Sequence, residues 1–210
     1  MPTVSLFEAA PLPGFAQPVH EAQQTFRALL AAMARPGLIV PVPATPTRPE
    51  PLYGSSAALA LTLFDMDTPV WLDEPARRDE VESYLRFHCG CPVPSPPEFS
   101  CFALFTRSGF ETGPDELIRF PAGDAAYPDR SATLIIQVPA LGQGERHVLQ
   151  GPGIQGRKTL RVQGLGSSFW EARDLYAGLF PLGYDTILAA PDAFACLPRT
   201  TRRLEDAPCT

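Results

Sequence analysis

The stretch SATLIIQV, residues 131–138, is the clearest strand in the chain and decides the predicted fold. Aliphatic and β-branched residues fill it, and these residue types favour the pleated backbone of a strand. Pro41 lies in another short apolar run, and we place that run at a sheet edge because proline cannot donate to a strand ladder. The further predicted strands cover residues 38–42, 69–73, 99–105 and 184–190.

Two more predicted strands, 146–151 and 159–165, flank the glycine-rich stretch GPGIQG. This stretch matches the spacing G-x-G-x-x-G of dinucleotide-binding loops, but that motif requires a helix directly after it. A strand follows here instead, and Pro152 removes an amide donor that a phosphate would need. We therefore predict a β-hairpin turn and keep phosphate binding by the 151–158 loop, with Arg157 and Lys158, as the alternative.

Four segments have the apolar pattern of helices. Residues 20–35 predict a helix that buries one face, and residues 55–65 predict a helix buried all round, with Ser55 or Ser56 as its N-cap. Residues 74–90 predict a third helix, with Pro75 in its first turn. The inner face of the first helix is expected to carry Phe26, Leu29, Leu30 and Met33, and that of the third Val81, Tyr84, Leu85 and His88.

The fourth helix begins near residue 167, where Ser168 and Glu171 have the spacing of a capping box. Helices come first along the chain and strands crowd its middle, with only some alternation. That order predicts a single α/β domain over residues 1–210, with a mixed β-sheet flanked by helices in α/β/α layers.

Composition restricts the classes of function. The chain has 210 residues, 45% of them hydrophobic, and a net charge of -6, so we expect a globule that does not bind nucleic acid. We find no signal-peptide pattern at the start and no membrane-length apolar run. The five cysteines are irregularly spaced, which fits a reducing cytoplasm; they are Cys89, Cys91, Cys101, Cys196 and Cys209.

Candidate ligand-binding residues are few. Arg130 and Ser131 stand at a strand entrance, where they are able to grip a phosphate or phosphonate; the alternative is an ion pair between Asp129 and Arg130 that positions the strand. Lys158 is the only lysine and the only candidate for a pyridoxal phosphate Schiff base, but we assign no carboxylate or phosphate cup to accompany it.

Two further clusters have mainly structural interpretations. The stretch FHCGC offers His88, Cys89 and Cys91 as metal ligands or a thiolate–imidazole pair, but no fourth ligand completes a zinc set. We favour a hydrogen-bonded histidine at a helix end. The stretch LPRTTRRL brings three arginines together near the C-terminus, which predicts a solvated tail or a contact with an acidic partner; they are Arg199, Arg202 and Arg203.

Seven motifs in order resemble the PhnH family, the H subunit of the bacterial carbon–phosphorus lyase machinery. The resemblance spans about residues 15 to 203. FHCGC departs from it, because the family pattern has threonine and then alanine in place of Cys89 and Cys91. The motifs are QQTFRALLAAMARPG, ALALTLFDMDTPVWL, LRFHCG, DRSATLIIQV, LQGPGI, FPLGYDTILAA and LPRTTR.

The resemblance implies a role in phosphonate catabolism, in a cytoplasmic complex with the G, I, J and K subunits. That complex is implicated in making α-D-ribose 1-methylphosphonate 5-triphosphate from ATP and methylphosphonate, with displacement of adenine. The resemblance also implies a fold similar to that of pyridoxal-phosphate-dependent transferases, without their cofactor site. It implies that the isolated chain forms homodimers. We expect an assisting subunit without catalytic, cofactor or metal residues. The rival is a subunit that binds ATP or phosphonate through Arg130, Ser131 and the 151–158 loop.

Overall fold

A mixed six-stranded sheet organises this computed structural model, which describes residues 12–107 and 113–204. The N-terminal segment, Cys209 and the two ends of the predicted 1–210 domain therefore lie outside the described residues. The strands are β1 Val40–Pro41, β2 Val70–Leu72, β3 Phe102–Phe105, β4 Thr133–Gln137, β5 Ala140–Gln150, β6 Lys158–Gln163, β7 Asp185–Ala189, β8 Ala193–Leu197 and β9 Arg202–Leu204.

The large sheet has the order β1-β8-β7-β4-β3-β2. Strands β2, β3, β4 and β7 run parallel, whereas β8 and β1 are antiparallel additions at one edge. The stretch SATLIIQV supplies β4, with β3 on one side and β7 on the other, so it lies in the parallel core of the sheet. Pro41 lies in the edge strand, as predicted.

A second, antiparallel sheet has the order β6-β5-β9. The β5–β6 hairpin was predicted, but β8, β9 and the short helix α4 were not. The helices of the described residues are α1 Pro18–Ala34, α2 Gly54–Leu63, α3 Asp79–Cys89, α4 Pro114–Leu117 and α5 Ser167–Ala177.

The large sheet separates two buried hydrophobic clusters, since successive residues of a strand face opposite sides. Leu104, Ile135 and Ile187 pack towards α1, α2 and α3. Phe105, Ile136 and Leu188 pack towards α5 and the small sheet. The predicted mixed α/β arrangement is confirmed, but the layer on the second face combines one long helix with a β-sheet.

The predicted inner face of α1 is partly wrong. Its buried residues are Thr25, Leu29 and Ala32, whereas Phe26 and Leu30 are 44% and 52% exposed. The buried face of α1 is narrower than its apolar face, so periodicity alone misplaced these two side chains. The buried character of α2 is confirmed.

The predicted helix caps are wrong. Tyr53 caps α2, and the serine hydroxyls bind other groups: Ser55 donates to Ala190 O, and Ser56 Oγ lies within hydrogen-bonding distance of Tyr53 O and Gln137 Oε1. Gly166 caps α5 without a side-chain bond, which puts the proposed capping box out of register.

The segment 74–90 divides into two helical pieces. Pro75 lies in a separate 3₁₀ turn, Glu74–Ala76, before α3 begins. Val81, Tyr84 and Leu85 are buried as predicted, whereas His88 is only half-buried.

Candidate functional site

Ser131 lies at the amino end of β4, inside a hydrogen-bonded network centred on Arg199. The pairing of Thr133 with Asp185 brings the starts of β4 and β7 together, and Arg199 follows the antiparallel strand β8 back to this end. Arg199 donates through Nη2 to Ser131 Oγ and to Asp185 Oδ2, the latter at 2.8 Å. The Arg199 side chain is only 15% exposed, so this network is a structural anchor.

Arg130 takes a different partner from its neighbour Ser131. Its side chain is exposed, and the guanidinium carbon lies 4.0 Å from the centroid of the Tyr127 ring. No salt bridge joins Asp129 to Arg130 in the part of the chain that the structure describes. Arg130 is therefore accessible but stacked, and the anion-binding role predicted for it stays a prediction.

The GPGIQG stretch forms a turn between β5 and β6, which confirms the strand–turn–strand prediction. Gly153 has φ +82°, and a Cβ atom there would lie 2.3 Å from Ala34 O at the end of α1. Arg157 and Lys158 are exposed beside this turn. Among the described residues, no hydrogen bond links them to Arg130 or Ser131, and their role in binding an anion stays a prediction.

The C-terminal arginine cluster is not a solvated tail. Arg199 belongs to the network at the start of β4, and Arg203 donates to Asp174 Oδ2 from Nε at 3.0 Å and from Nη2 at 2.6 Å. Arg203 also lies over the Trp170 ring, 5.6 Å from its centroid. Arg202 remains exposed. The prediction failed because β9 pairs with β5 and carries these side chains onto the fold.

Another buried arginine, Arg173, lies beside this network. It donates to Thr186 Oγ1, Pro198 O and Thr201 O, and burial lowers its pKa to about 10, so the guanidinium remains charged at neutral pH. The space lined by Arg173, Tyr184 and Arg199 holds only about 10 Å³. That is barely the room of one water molecule, so the space is a packing defect and no ligand site.

The FHCGC stretch has mainly internal contacts. His88 Nε2 lies 2.7 Å from Leu12 O, as expected for a hydrogen-bonded histidine at a helix end. The Cys91 thiol is buried and contacts Leu85 O, and Cys89 contacts Ala60 O. The interaction of the two neighbouring thiols raises the pKa of Cys89 and lowers that of Cys91. Within residues 12–107 and 113–204, no cluster of three ligand side chains could hold a metal.

An open cleft of about 490 Å³ lies where β2 and β3 end. Asp73 follows β2 and is 2% exposed. Its Oδ2 accepts hydrogen bonds from the backbone amides of Thr106 and Arg107, at 2.7 and 2.9 Å, and its Oδ1 accepts one from Thr106 Oγ1 at 2.8 Å. This carboxylate therefore joins the ends of the two strands and fixes one wall of the cleft.

Three arginines line the cleft from different segments. Arg77 donates from Nε to Leu72 O and lies 5.7 Å from the Trp71 ring centroid. Arg107 contacts both carboxylate oxygens of Glu116 through Nη2, each at 2.9 Å. Arg119, which follows α4, is exposed and also lines the cleft.

Sequence reasoning missed this cleft. A usable signal was present, because polar residues follow two successive apolar runs: Asp73 after PVWL and Thr106-Arg107 after FALF. The carboxyl ends of neighbouring parallel strands meet at one edge of a sheet, where ligands of α/β proteins commonly bind. The parallel pairing of β2 with β3 was needed to bring these residues together.

Helix α1 exposes an apolar strip that we define as Val19, Phe26 and Leu30. They are 88%, 44% and 52% exposed, and their spacing of seven and four residues puts them on one helical face. This strip adjoins the buried face of α1 but does not contribute to the core.

No helix in the described ranges is both long and apolar enough to cross a lipid bilayer. The fold and its sites define an α/β protein with an arginine-lined cleft at the carboxyl edge of its parallel strands and an apolar strip on its first helix.

Comparison with known proteins assigns the family. Residues 13–203 match the family described as bacterial phosphonate metabolism protein (PhnH), and the chain belongs to this family, as the seven motifs predicted. It is 39% identical to the α-D-ribose 1-methylphosphonate 5-triphosphate synthase subunit PhnH of Rhizobium meliloti (strain 1021) over 188 residues, which cover 90% of this chain and 92% of the relative.

A second relative is more distant. HtxG of Stutzerimonas stutzeri carries a provisional assignment as a C-P lyase subunit protein. It is 30% identical over 180 residues, which cover 85% of this chain and 84% of that protein.

Proposed function

We propose that this chain is a subunit of the carbon–phosphorus lyase machinery in phosphonate catabolism, with a structural or assisting role. It would act with the G, I, J and K subunits in making α-D-ribose 1-methylphosphonate 5-triphosphate from ATP and methylphosphonate. The extent of the match to the Rhizobium meliloti synthase subunit supports the assignment to this machinery.

The single observation that carries the assisting role is the apolar strip on α1. Val19, Phe26 and Leu30 lie on one face of a helix whose buried side is already occupied by the core. Grouped exposed apolar side chains mark interaction surfaces, because covering them removes apolar area from water. We assign a partner subunit of the synthase to this strip, and a second copy of the chain to the same strip in isolation.

The bonding of several arginines also supports an assisting role. Arg173, Arg199 and Arg203 are committed to carbonyl, hydroxyl and carboxylate groups of the same chain. These cations therefore stabilise the subunit itself.

Co-expression with the four partner subunits tests the proposal. Phe26→Glu combined with Leu30→Glu is expected to reduce co-purification at least tenfold, because two carboxylates would be desolvated at the interface. Phe87→Glu is the matched control, since Phe87 is 67% exposed on a different helix. Circular dichroism establishes that both variants fold. Undiminished assembly of the folded α1 variant would refute docking through the strip.

A second candidate function is direct binding of ATP or phosphonate through Arg130, Ser131 and the 151–158 loop. The exposure of Arg130, Arg157 and Lys158 favours it, since accessible cations attract oxyanions. Calorimetry of the isolated chain with ATP and methylphosphonate tests it. Saturable binding that Arg130→Ala abolishes would support this candidate, and an absence of heat would reject it.

The proposal includes three expectations that come from the family resemblance. The fold is expected to be similar to that of pyridoxal-phosphate-dependent transferases without their cofactor site, the isolated chain is expected to be an inactive homodimer, and the complex is expected in the cytoplasm. Superposition on such a transferase tests the first. Sedimentation of the isolated chain tests the dimer.

A further inference from the structure

We infer that the cleft beyond β2 and β3 binds a small organic molecule through a tetrahedral oxyanion, a phosphate or phosphonate group. The site consists of Trp71, Asp73, Arg77, Arg107, Glu116 and Arg119. It is distinct from the residues at the start of β4 and from the 151–158 turn. It also stands independently of the docking role proposed for α1.

The position of the cleft in the fold is typical of a ligand site. The cleft lies at the carboxyl ends of two neighbouring parallel strands, where the loops of α/β sheets build their ligand sites. Its volume of about 490 Å³ falls in the range of small-molecule pockets. By contrast, the space beside Arg173 holds only about 10 Å³.

One wall of the cleft is held in place before any ligand binds. Asp73 is buried, and its two oxygens accept three hydrogen bonds from Thr106 and Arg107. The carboxylate therefore fixes the backbone from which the Arg107 side chain enters the cleft. The contact of Arg107 with Glu116 closes the same wall from α4. A wall held this way costs little to order when a ligand binds.

Charge identifies the ligand chemistry. The Arg107–Glu116 pair is internally compensated, and both Asp73 oxygens are occupied by hydrogen bonds from neutral donors, so they are not open to a ligand. Arg77 and Arg119 remain as exposed cations in the lining, together with the exposed carboxylate of Glu74. Two guanidinium groups offer more donors than the two oxygens of one carboxylate accept in bidentate pairs. The three oxygens of a phosphate or phosphonate match them better.

Size and apolar lining identify the rest of the ligand. A bare inorganic anion would leave most of the 490 Å³ to water. Trp71 and Pro75 add apolar surface that an organic group can cover. The Trp71 side chain is only 5% exposed, so its ring is held by the core beneath the cleft.

The two tryptophans provide a direct test. Trp71 lines the cleft, whereas Trp170 packs on His147 and Arg203 elsewhere. In ¹H–¹⁵N spectra of the full chain, the two indole signals are assigned with Trp71→Phe. Inorganic phosphate, AMP and acetate are then titrated at constant ionic strength. We expect a saturable shift of the Trp71 signal with phosphate and AMP, tighter for AMP, and none with acetate.

Arg119→Ala and Arg202→Ala form the matched pair of variants. Both arginines are exposed, so neither substitution should unfold the chain, and Arg202 does not line the cleft. Loss of a charge-assisted contact should weaken AMP binding about tenfold or more in Arg119→Ala. Arg202→Ala should bind AMP as the unchanged chain does. An unmoved Trp71 signal at high phosphate and AMP, or equal loss in both variants, would overturn the inference.

Discussion

The two ends of the parallel strands use arginine in opposite ways. At the amino ends, Arg173 and Arg199 are buried or nearly so, and their donors are bound to Thr186, Asp185 and nearby carbonyls. At the carboxyl ends, Arg77 and Arg119 are exposed around an open cleft. Residues of one type therefore maintain the fold at one end and face solvent at the other.

The role of an arginine in this protein therefore depends on its packing environment. A buried guanidinium must be bonded, because an unpaired buried charge is costly. An exposed one contributes little to stability and is available to a ligand. Substitutions at the two ends should therefore separate stability from binding.

The largest effect is expected at Arg173. Arg173→Ala removes three hydrogen bonds and leaves a cavity beside buried acceptors, and should lower the free energy of unfolding by about 3–5 kcal/mol. Urea denaturation followed by circular dichroism measures it. A loss as small as that of a surface substitution would break the contrast between the two ends.

Arg199→Ala should have the next largest effect. It removes the ion pair with Asp185 and the hydrogen bond to Ser131, for a loss of about 2–3 kcal/mol in the free energy of unfolding. Arg202→Ala is the matched control in the same C-terminal stretch, since Arg202 is exposed. The same urea titration compares them, and equal losses would restore the interpretation of this stretch as a solvated tail.

The turn beside the amino-end network gives a smaller effect. Gly153→Ala combines a left-handed backbone with a Cβ contact of 2.3 Å to Ala34 O, so we expect a loss of about 2 kcal/mol or more in stability. Gly156 has φ +74° but open space around it, so Gly156→Ala should cost only about 1 kcal/mol. Thermal unfolding compares the pair. Equal midpoints would show that the packing against α1 is unimportant.

The smallest effect is expected at the carboxyl ends. Arg119→Ala should change the free energy of unfolding by less than about 0.5 kcal/mol, as is usual for exposed side chains. Urea denaturation of this variant, beside its phosphate titration, sharpens the comparison. A loss as large as that of Arg199→Ala would identify Arg119 as structural.

Local pattern predicted much of the fold and little of the candidate site. β4 was predicted because consecutive aliphatic residues carry its signal within one segment. β8 and β9 were missed. The short strand β9 forms by pairing with β5, which is distant in the chain, and β8 pairs antiparallel with β7. Phe26 and Leu30 were misplaced because periodicity identifies an apolar face but not how much of it the core covers.

Local sequence patterns also said little about the contacts of the predicted anion-binding residues. Arg130 and Ser131 are adjacent in sequence, yet one stacks on Tyr127 and the other binds Arg199. Asp73 and Arg107 are 34 residues apart, yet the Asp73 carboxylate accepts the Arg107 backbone amide. The sequence analysis grouped Arg130 with Ser131 because they are neighbours in the chain. Contacts between distant segments, such as that of Asp73 with Arg107, cannot be inferred from local spacing.

Sequence patterns were enough to predict the α/β class, the central strand β4, the β5–β6 hairpin and, through seven ordered motifs, the family. These properties depend on residue types within short segments, where side-chain chemistry acts directly on the backbone. The folded chain was needed to show which arginines are buried and which line the cleft, and which apolar side chains of α1 remain exposed. Those outcomes depend on burial, and burial is set by the pairing and packing of segments far apart in the chain.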